Sequence, residues 1–444
     1  MPAAFPTRLN QLEAWQAAQL LARRELRSAD LVRACLERIE AREPAVHAFA
    51  HLDPDAALAR ARVLDAAPLQ GLLHGLPFGA KDIFDTFDLP TDYGSPVYAG
   101  NHPIADAASV ALCRAAGGIL LGKTVTTELA NMTPGATRNP HNLAHTPGGS
   151  SSGSAAAVAD FMLPLALGTQ TAGSLIRPAA FCGVVSYKPS HNRVPKAGVK
   201  SLSETLDTVG CFGRSVRDVA LLGAVLTDDS RLFDHNAFNQ VTSPRIGVCR
   251  TPQWKCADSD THQVWSQAIA ALAGNIVALE VPAALSDLVE LQKAVQAFET
   301  ARSFSHERLH HLASLSGPLQ TLLAQGMAIS GSEHANNLQS TALARQQASL
   351  LFADCNVLLA PSAFGEAPIG LQSTGDPLFC RSWTLLGLPC VHLPFAYGKN
   401  GLPIGLQLVG QFGEDHQLML AAHWVHERLG HLPAEPATPC RSPR

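Results

Sequence analysis

The sequence predicts an α/β fold with buried sheet strands, and two observations carry that prediction. Short apolar runs of strand length alternate with segments of helical period along most of the chain. The composition agrees, because 46% of the 444 residues are hydrophobic and only 16% are charged. A low share of charged residues is typical of a large globular protein with a sizeable core. An enzyme or a large binding scaffold is therefore plausible.

The N-terminal half begins with two predicted helices between Leu9 and Glu40, with Ser28 and Asp30 at the cap between them. Alternating elements follow. Strands are predicted at residues 46–52, 75–84, 119–122 and 184–187, with a further apolar strand ending at residue 167, and helices at 55–66, 106–116 and 151–161.

The C-terminal half is mostly helical by period from residue 258 to 351, with breaks near residues 314–318 and around Gly331. We expect this segment to flank or cover the functional site. Two strands are predicted at residues 356–359 and 404–409, followed by a last helix at 415–429. The remaining residues 436–444 predict a flexible tail.

Charge and cysteine content argue against several classes of function. The net charge is -4 and no run of lysine and arginine occurs, so we expect no nucleic-acid partner. The ten cysteines form no C-x-x-C pair, which predicts reduced structural thiols and no metal site. No signal peptide and no apolar run of about 20 residues is present, so we expect a cytoplasmic protein without a membrane segment.

Two motifs resemble known signatures but stand in the wrong structural context. Residues 149–153 read G-x-S-x-G, which would make Ser151 the nucleophile of a hydrolase elbow, but a polar loop rather than a strand precedes them. Residues 117–124, GGILLGKT, match a phosphate-binding loop, but a predicted helix precedes them and strand-like residues separate the glycines. We therefore interpret Lys123 as structural and expect no ATP site.

Two stretches rich in small residues are more informative. Residues 146–153, TPGGSSSG, lead into an alanine-rich helix, where a substrate or another chain segment can approach closely, although the composition alone is equally typical of a turn. Residues 168–178, GTQTAGSLIRP, follow an apolar strand. The backbone N–H groups of Thr171, Ala172 and Gly173 can converge there on one oxygen, as an oxyanion hole requires.

These stretches together resemble the amidase signature family. The similar segments are GGSSSGSAAAVA, the upstream GAKD, the step from Ser150 to Ser174, FCGVVSYKPS and, near the C-terminus, STGDP and GLPIGLQLVG. The resemblance is densest over residues 71–213. It implies a single domain over residues 1–435, with a mixed, largely buried β-sheet covered by helices on both faces. It also implies a homodimer.

The resemblance assigns catalytic roles to three residues. Ser174 takes the position of the nucleophile, Ser150 that of the serine after a cis peptide bond, and Lys81 that of the base. A serine hydroxyl is a poor nucleophile until a base accepts its proton, and a buried neutral lysine can be that base. Without the resemblance, Lys81 beside Asp82 is typical of an ordinary ion-paired or surface lysine. The implied reaction is hydrolysis of a small linear amide to a carboxylate and ammonia, without a metal or cofactor.

The chain departs from the family next to the nucleophile. Most members carry an aspartate four residues before it and an arginine two residues after it, whereas this chain has Gln170, Ile176 and a displaced Arg177. Losing both charges together avoids leaving one buried without a partner. The pattern is similar to that of malonamidases. We therefore expect a malonamate-like substrate, with Arg177 and Gln170 as substrate-binding residues; an Arg177 bonded to loop carbonyls is the alternative.

Two other functions stay open. The family includes the amidase subunit of transfer-RNA-dependent amidotransferases, which works in a heteromeric complex and typically keeps the aspartate that Gln170 replaces. A non-catalytic binding or scaffold protein could also have kept the fold. The presence of all three catalytic residue types argues against the second possibility.

Overall fold

Within the residues that the computed structural model describes (8–279, 281–285, 288–430 and 432), eleven strands form one sheet. The strands are β1 (Phe49–Leu52), β2 (Pro77–Lys81), β3 (Ile119–Thr124), β4 (Leu165–Gln170), β5 (Val185–Lys188), β6 (Thr208–Gly213), β7 (Ile246–Val248), β8 (Ile276–Val277), β9 (Val357–Pro361), β10 (Cys390–Tyr397) and β11 (Pro403–Gly410). Their order is β1-β3-β2-β4-β6-β5-β10-β11-β9-β7-β8. The β2–β3, β2–β4, β7–β8 and β7–β9 pairs are parallel and the rest antiparallel, so the sheet is mixed as expected.

Fifteen α-helices of the described chain connect and cover these strands. They are α1 (Ala14–Ala22), α2 (Ser28–Val46), α3 (Pro54–Ala66), α4 (Ala108–Ala115), α5 (Ser152–Ala159), α6 (Ile176–Cys182), α7 (Val216–Thr227), α8 (His235–Asn239), α9 (Ser259–Ala271), α10 (Leu288–Ser303), α11 (Ser305–His310), α12 (Gly317–Ala328), α13 (Gly331–Gln347), α14 (Leu378–Leu385) and α15 (Asp415–Leu429). Every residue of β2–β6, β9 and β11 is buried. Both faces of the sheet are therefore covered, which confirms the predicted α/β architecture.

Most predicted elements occur, with their ends shifted by a few residues. The helical middle is broken where the sequence predicts, because α12 begins at Gly317 and α13 at Gly331. The strand expected from residue 46 begins only at Phe49, because α2 continues to Val46 and ends where His47 takes a left-handed conformation. The tail predicted at residues 436–444 lies outside the described part of the chain.

The predicted cap between the first two helices, Ser28 with Asp30, is wrong, because a different residue accepts the free N–H groups there. The carboxylate of Asp65, at the end of α3, accepts the backbone N–H groups of Ser28 (2.6 Å) and Ala29 (3.2 Å). The Ser28 hydroxyl instead donates to the carbonyl of Gly75 (2.8 Å). A side chain from elsewhere in the fold thus satisfies the free amides that a local serine was expected to satisfy.

Four strands, β6, β7, β8 and β10, are missing from the sequence prediction, and two of them have a clear cause. β6 contains Gly210, where an added Cβ would lie 2.2 Å from the carbonyl oxygen of Tyr187, so the strand needs glycine to fit beside β5. β10 contains Pro394, which lies at a register shift in its pairing with β11. Glycine and proline are both depleted in strands, and the local pattern therefore concealed them.

Two expectations from composition concern the described part of the chain. All nine cysteines there are free thiols, and eight of them are buried. No helix in the described ranges has both the length and the apolar character of a membrane span.

The sheet brings the candidate catalytic residues to one edge. β2 and β4 are adjacent and parallel, with Ala80 opposite Leu167. β2 ends at Lys81, and β4 ends at Gln170, just before the loop that carries Ser174. Because the carboxyl ends of parallel strands meet at the same edge of a sheet, the predicted base and nucleophile lie in the same region.

Candidate active site

Lys81 and Ser150 lie side by side at the carboxyl end of β2. The Lys81 side chain is fully buried, with Nζ 2.7 Å from Ser150 Oγ and 2.9 Å from Thr169 Oγ1. The peptide bond between Gly149 and Ser150 is cis. The structure therefore brings together the lysine and the serine that the motifs single out, and it adds Thr169, to which the sequence analysis gave no role.

Burial dominates the electrostatics of Lys81. It lowers the pKa of the ammonium group well below its ordinary value; Asp207 raises it in part and Arg177 lowers it further. No carboxylate of the described residues lies within 4.0 Å of Lys81 Nζ. The neighbouring Asp82 pairs instead with Lys123, at 2.9 Å. The lowered pKa makes the neutral amine, which is the form able to accept a proton, easier to reach than in an exposed lysine.

Ser174 lies on the loop between β4 and α6 and lines a cavity of about 480 Å³. Its hydroxyl makes no hydrogen bond with another residue of the described chain. Three cationic residues, Arg177, Lys293 and Arg381, also line the cavity, and no aspartate or glutamate among the described residues does. A cavity of this size accepts a small molecule.

The loop of residues 171–173 has the hydrogen-bonding pattern of an oxyanion hole. Its carbonyl oxygens are all occupied: Thr171 accepts from Gln292 Nε2 (3.0 Å), Ala172 from Thr384 Oγ1 (2.9 Å), and Gly173 from the N–H of Arg177 (2.9 Å). The N–H groups of the same three residues have no acceptor among the described residues. Donors held in place without a protein acceptor are what a developing oxyanion requires.

Asp207 holds this loop from the other side. Its Oδ1 accepts from Thr171 Oγ1 (2.5 Å), and its Oδ2 accepts from the N–H groups of Leu202 (2.8 Å) and Ser203 (3.0 Å). Burial raises the pKa of Asp207, while the hydrogen bond from Thr171 lowers it. No local pattern indicates this contact, because Asp207 and Thr171 are 36 residues apart.

Gln170 does not line the cavity, contrary to the sequence prediction. Its side chain is fully buried; Oε1 accepts from the N–H groups of Leu175 (3.0 Å) and Ile176 (3.1 Å), and Nε2 donates to Thr384 Oγ1 (2.9 Å). A neutral carboxamide can accept and donate at once, and here it satisfies free amides at the start of α6. Gln170 is therefore a positioning residue for the Ser174 loop.

Arg177 lines the cavity but is also bonded to the backbone. Its Nε and Nη2 both donate to the carbonyl of Gly149 (3.2 and 2.6 Å), and its Nη1 donates to the carbonyl of Gly375. Burial lowers its pKa to about 10, so it stays charged at neutral pH. The contacts match the alternative of an arginine that binds loop carbonyls, and they link Arg177 to the residue before Ser150.

The structure also explains the two misleading motifs. The hydroxyl of Ser151 is fully buried and donates to the carbonyl of Thr169 (3.3 Å), so it is not placed as an exposed nucleophile. Lys123 lies inside β3, pairs with Asp82, and donates to the carbonyl of Pro90 (3.1 Å). Neither the hydrolase elbow nor the phosphate-binding loop is present at these residues.

Comparisons with known sequences show clear relatives. A sequence model of the Amidase family matches residues 30–419. The A subunit of glutamyl-tRNA(Gln) amidotransferase from Solidesulfovibrio magneticus is 32% identical, over 93% of this chain and 96% of that protein. The corresponding protein of Roseiflexus sp. is also 32% identical, over 97% of this chain and 100% of that protein. The similarity thus extends over nearly the whole chain.

Solved structures give the same result. The peptide amidase of Stenotrophomonas maltophilia matches with a TM-score of 0.83 and 28% identity, over 98% of this chain and all of that one. The 6-aminohexanoate cyclic dimer hydrolase matches with a TM-score of 0.83 and 26% identity, over 95% of this chain and 97% of that one. The similarity to malonamidases stays a prediction. The chain belongs to the Amidase family, the amidase signature hydrolases of C–N bonds that its motifs resemble.

Proposed function

We propose that this enzyme hydrolyses a short linear amide bearing a carboxylate, malonamate-like in size, and releases ammonia. One observation carries this choice of substrate: the cavity of Ser174 is lined by Arg177, Arg381 and Lys293, with no acidic residue among the described residues that line it. Lys293 is already paired with Glu290 at 2.7 Å, whereas neither arginine has a carboxylate within 4.0 Å in the described chain. An anionic substrate supplies the missing opposite charge.

The proposed reaction uses Lys81, Ser150 and Ser174 as base, relay and nucleophile. Ser174 Oγ attacks the amide carbon while its proton passes through Ser150 to the neutral amine of Lys81. The N–H groups of residues 171–173 bind the oxyanion. The C–N bond then breaks, the proton returns through Ser150 to the leaving nitrogen, and ammonia departs.

The acyl group stays on Ser174 until water removes it. The same relay takes a proton from the water, whose oxygen attacks the acyl carbon, and Ser174 leaves with the proton restored to its hydroxyl. Two features support this route: Nζ of Lys81 lies 2.7 Å from Ser150 Oγ, and burial lowers the pKa of Lys81. The three residues are those that the family resemblance assigns to these roles.

Matched substrates test the proposal. Malonamate and succinamate are compared with malonamide and succinamide, which replace the carboxylate by a neutral amide, and ammonia release is measured. We expect kcat/KM to be higher for each carboxylate substrate by about tenfold or more. Equal values would contradict the substrate class. Ammonia release that persists in Ser174→Ala would contradict the mechanism.

The relatives favour a second candidate, the amidase subunit of a transfer-RNA-dependent amidotransferase. Proteins with that name match nearly the whole chain. In this role the same site would act within a heteromeric complex rather than in the homodimer that the family resemblance implies. The cationic cavity suits any amide that carries a carboxylate, so it does not by itself distinguish the two candidates.

Purification distinguishes the two. The tagged chain is purified alone and with the proteins that accompany it in its host, its mass is measured by light scattering, and ammonia release is assayed in both samples. Full turnover by a monomer or homodimer supports the hydrolase. Turnover that requires accompanying proteins, together with amide transfer to glutamyl-tRNA(Gln), would replace the hydrolase by the amidotransferase component.

A further inference from the structure

Arg381 bonds to the protein through Nη1, whereas its Nε and Nη2 have no partner among the described residues. It lies on α14 and lines the cavity of Ser174. Its Nη1 donates to Oε1 of Gln292 and to Oε1 of Gln296 (3.2 Å), both on α10. Its Nε is buried and has no hydrogen-bond partner in the described chain. The edge formed by Nε and Nη2 is the one that binds a carboxylate with two parallel hydrogen bonds.

Arg177 is the obvious competitor for this role, because it lies closer to Ser174 in the sequence. Its Nε and Nη2 both donate to the carbonyl of Gly149, so the same edge of its guanidinium is already occupied. Its Nη1 donates to the carbonyl of Gly375. Of the two arginines that line the cavity, Arg381 is the one whose Nε and Nη2 have no acceptor among the described residues.

The charge of Arg381 also lacks a close partner. No carboxylate of the described residues lies within 4.0 Å of it, and Asp376 and Glu290 act on it only from a longer distance. Burial lowers its pKa, which reflects the cost of keeping the cation away from water. A bound carboxylate offsets that cost, whereas a neutral amide does not.

Gln292 connects Arg381 to the oxyanion loop. Its side chain is fully buried; Oε1 accepts from Arg381, and Nε2 donates to the carbonyl of Thr171 (3.0 Å). The carbonyl of Thr171 and the N–H of Ala172 belong to the same peptide unit. One side chain thus joins Arg381 to a proposed oxyanion donor.

We propose that Arg381, rather than Arg177, binds the substrate carboxylate through Nε and Nη2, and that Gln292 positions Arg381 and the Thr171 carbonyl together. This inference rests on the proposed function. It makes Arg381 the residue that selects anionic substrates. Gln292 is a positioning residue that aligns substrate selection with oxyanion binding.

The test compares Arg381→Met and Arg177→Lys on malonamate and malonamide. In Arg381→Met we expect kcat/KM for malonamate to fall about 100-fold, mainly through KM, while the value for malonamide changes by less than about tenfold. In Arg177→Lys we expect both substrates to lose activity in parallel. Retained preference for malonamate in Arg381→Met, or its selective loss in Arg177→Lys, overturns the proposal.

Two further measurements keep the outcome clear. Adding ethylguanidinium to Arg381→Ala should restore malonamate turnover in part, and failure to do so in a folded variant that still cleaves malonamide counts against the role. Gln292→Met should lower kcat on both substrates, and an effect on KM alone contradicts the link to the oxyanion loop. If the unaltered enzyme cleaves neither substrate, the proposed function itself fails; if it prefers malonamate and Arg381→Met does too, only this inference fails.

Discussion

Asp82 and Lys123 form a buried ion pair, with Oδ1 2.9 Å from Nζ. Asp82 follows Lys81 directly in the sequence, but its carboxylate pairs with Lys123 and not with Lys81. Burial lowers the pKa of both lysines, but Asp82 raises that of Lys123 in part, whereas no carboxylate of the described chain lies against Lys81. Two lysines of similar burial therefore differ in how readily they hold a proton, because only one of them has an adjacent acidic partner.

The first prediction concerns Lys81→Met. Removing the base should lower ammonia release by about 1,000-fold or more, because neither serine then loses its proton readily. The folded protein should be as stable as the unaltered enzyme or more so at neutral pH, since methionine fills a similar volume without the cost of burying an amine. Activity is measured by ammonia release, and the free energy of unfolding by urea titration.

The stability difference between Lys81→Met and the unaltered enzyme should depend on pH, because proton binding by Lys81 is linked to folding. The folded-state pKa of Lys81 lies below its ordinary value of 10.5, so between those two pKa values the unfolded chain binds more protons at Lys81 than the folded chain does. Burial of Lys81 therefore costs stability between the lowered pKa and 10.5, and this cost shrinks as the pH rises. The stability advantage of Lys81→Met should accordingly be smaller at pH about 9 than at about 7. An advantage that grows with pH would contradict a lowered pKa.

The second prediction separates the serines of the GGSSSG stretch. Ser150→Ala and Ser174→Ala should each lower ammonia release by about 1,000-fold or more. Ser151→Ala should keep activity within about tenfold and lose about 1 kcal/mol of stability, because its hydroxyl bonds only to the backbone of Thr169. Loss of turnover in Ser151→Ala but not in Ser150→Ala would support Ser151 as the nucleophile of a hydrolase elbow.

Residues inside short motifs could be predicted from the sequence, and contacts between distant segments could not. Lys81, Ser150 and Ser174 each lie in a stretch whose composition and order are similar to the family. Arg381 and Asp207 reach the site only through the packing of α14 and of the loop before β6. No spacing in the chain reveals which helix will face the cavity of Ser174.

Gln170 shows a different limit. The similarity to malonamidases suggested a substrate-binding residue, whereas Gln170 ends β4 and its side chain bonds within the protein. The direction of that side chain depends on Thr384, which accepts from Nε2 of Gln170 and donates to the carbonyl of Ala172. The fold shows the same limit, since β6, where Gly210 packs against the backbone of Tyr187, and β10, where Pro394 lies at a register shift, were not predicted.

The third prediction concerns the buried pair of Asp82 and Lys123. Lys123→Met alone should cost about 3–5 kcal/mol, since it leaves a carboxylate buried without its cation. Adding Asp82→Asn should recover a large part of that loss, because the double variant has no unpaired charge. Urea unfolding of both variants measures the difference. A double variant less stable than Lys123→Met would contradict this argument. Binding of ATP to the unaltered protein would contradict a structural role for Lys123.

The last prediction concerns Gln170, which holds the Ser174 loop with three hydrogen bonds. Gln170→Ala leaves the N–H groups of Leu175 and Ile176 without their acceptor, each at a cost of about 1–3 kcal/mol where no water replaces it. The start of α6 then loosens, and kcat should fall about 10- to 100-fold for charged and neutral amides alike. Gln170→Glu keeps the acceptor, but it loses the N–H donor to Thr384 and buries a carboxylate without a cationic partner, so it should not recover the stability.

Gln170→Ala also distinguishes a positioning residue from a substrate-binding one. A residue that contacts the carboxylate would raise KM for malonamate and leave malonamide unaffected. A residue that only holds the loop changes kcat on both substrates, and it should leave their ratio of kcat/KM unaltered. Steady-state kinetics with the two substrates measures that ratio. Because the carboxamide of Gln170 is fully hydrogen-bonded to the backbone and to Thr384, we expect the ratio to stay within about threefold of that of the unaltered enzyme.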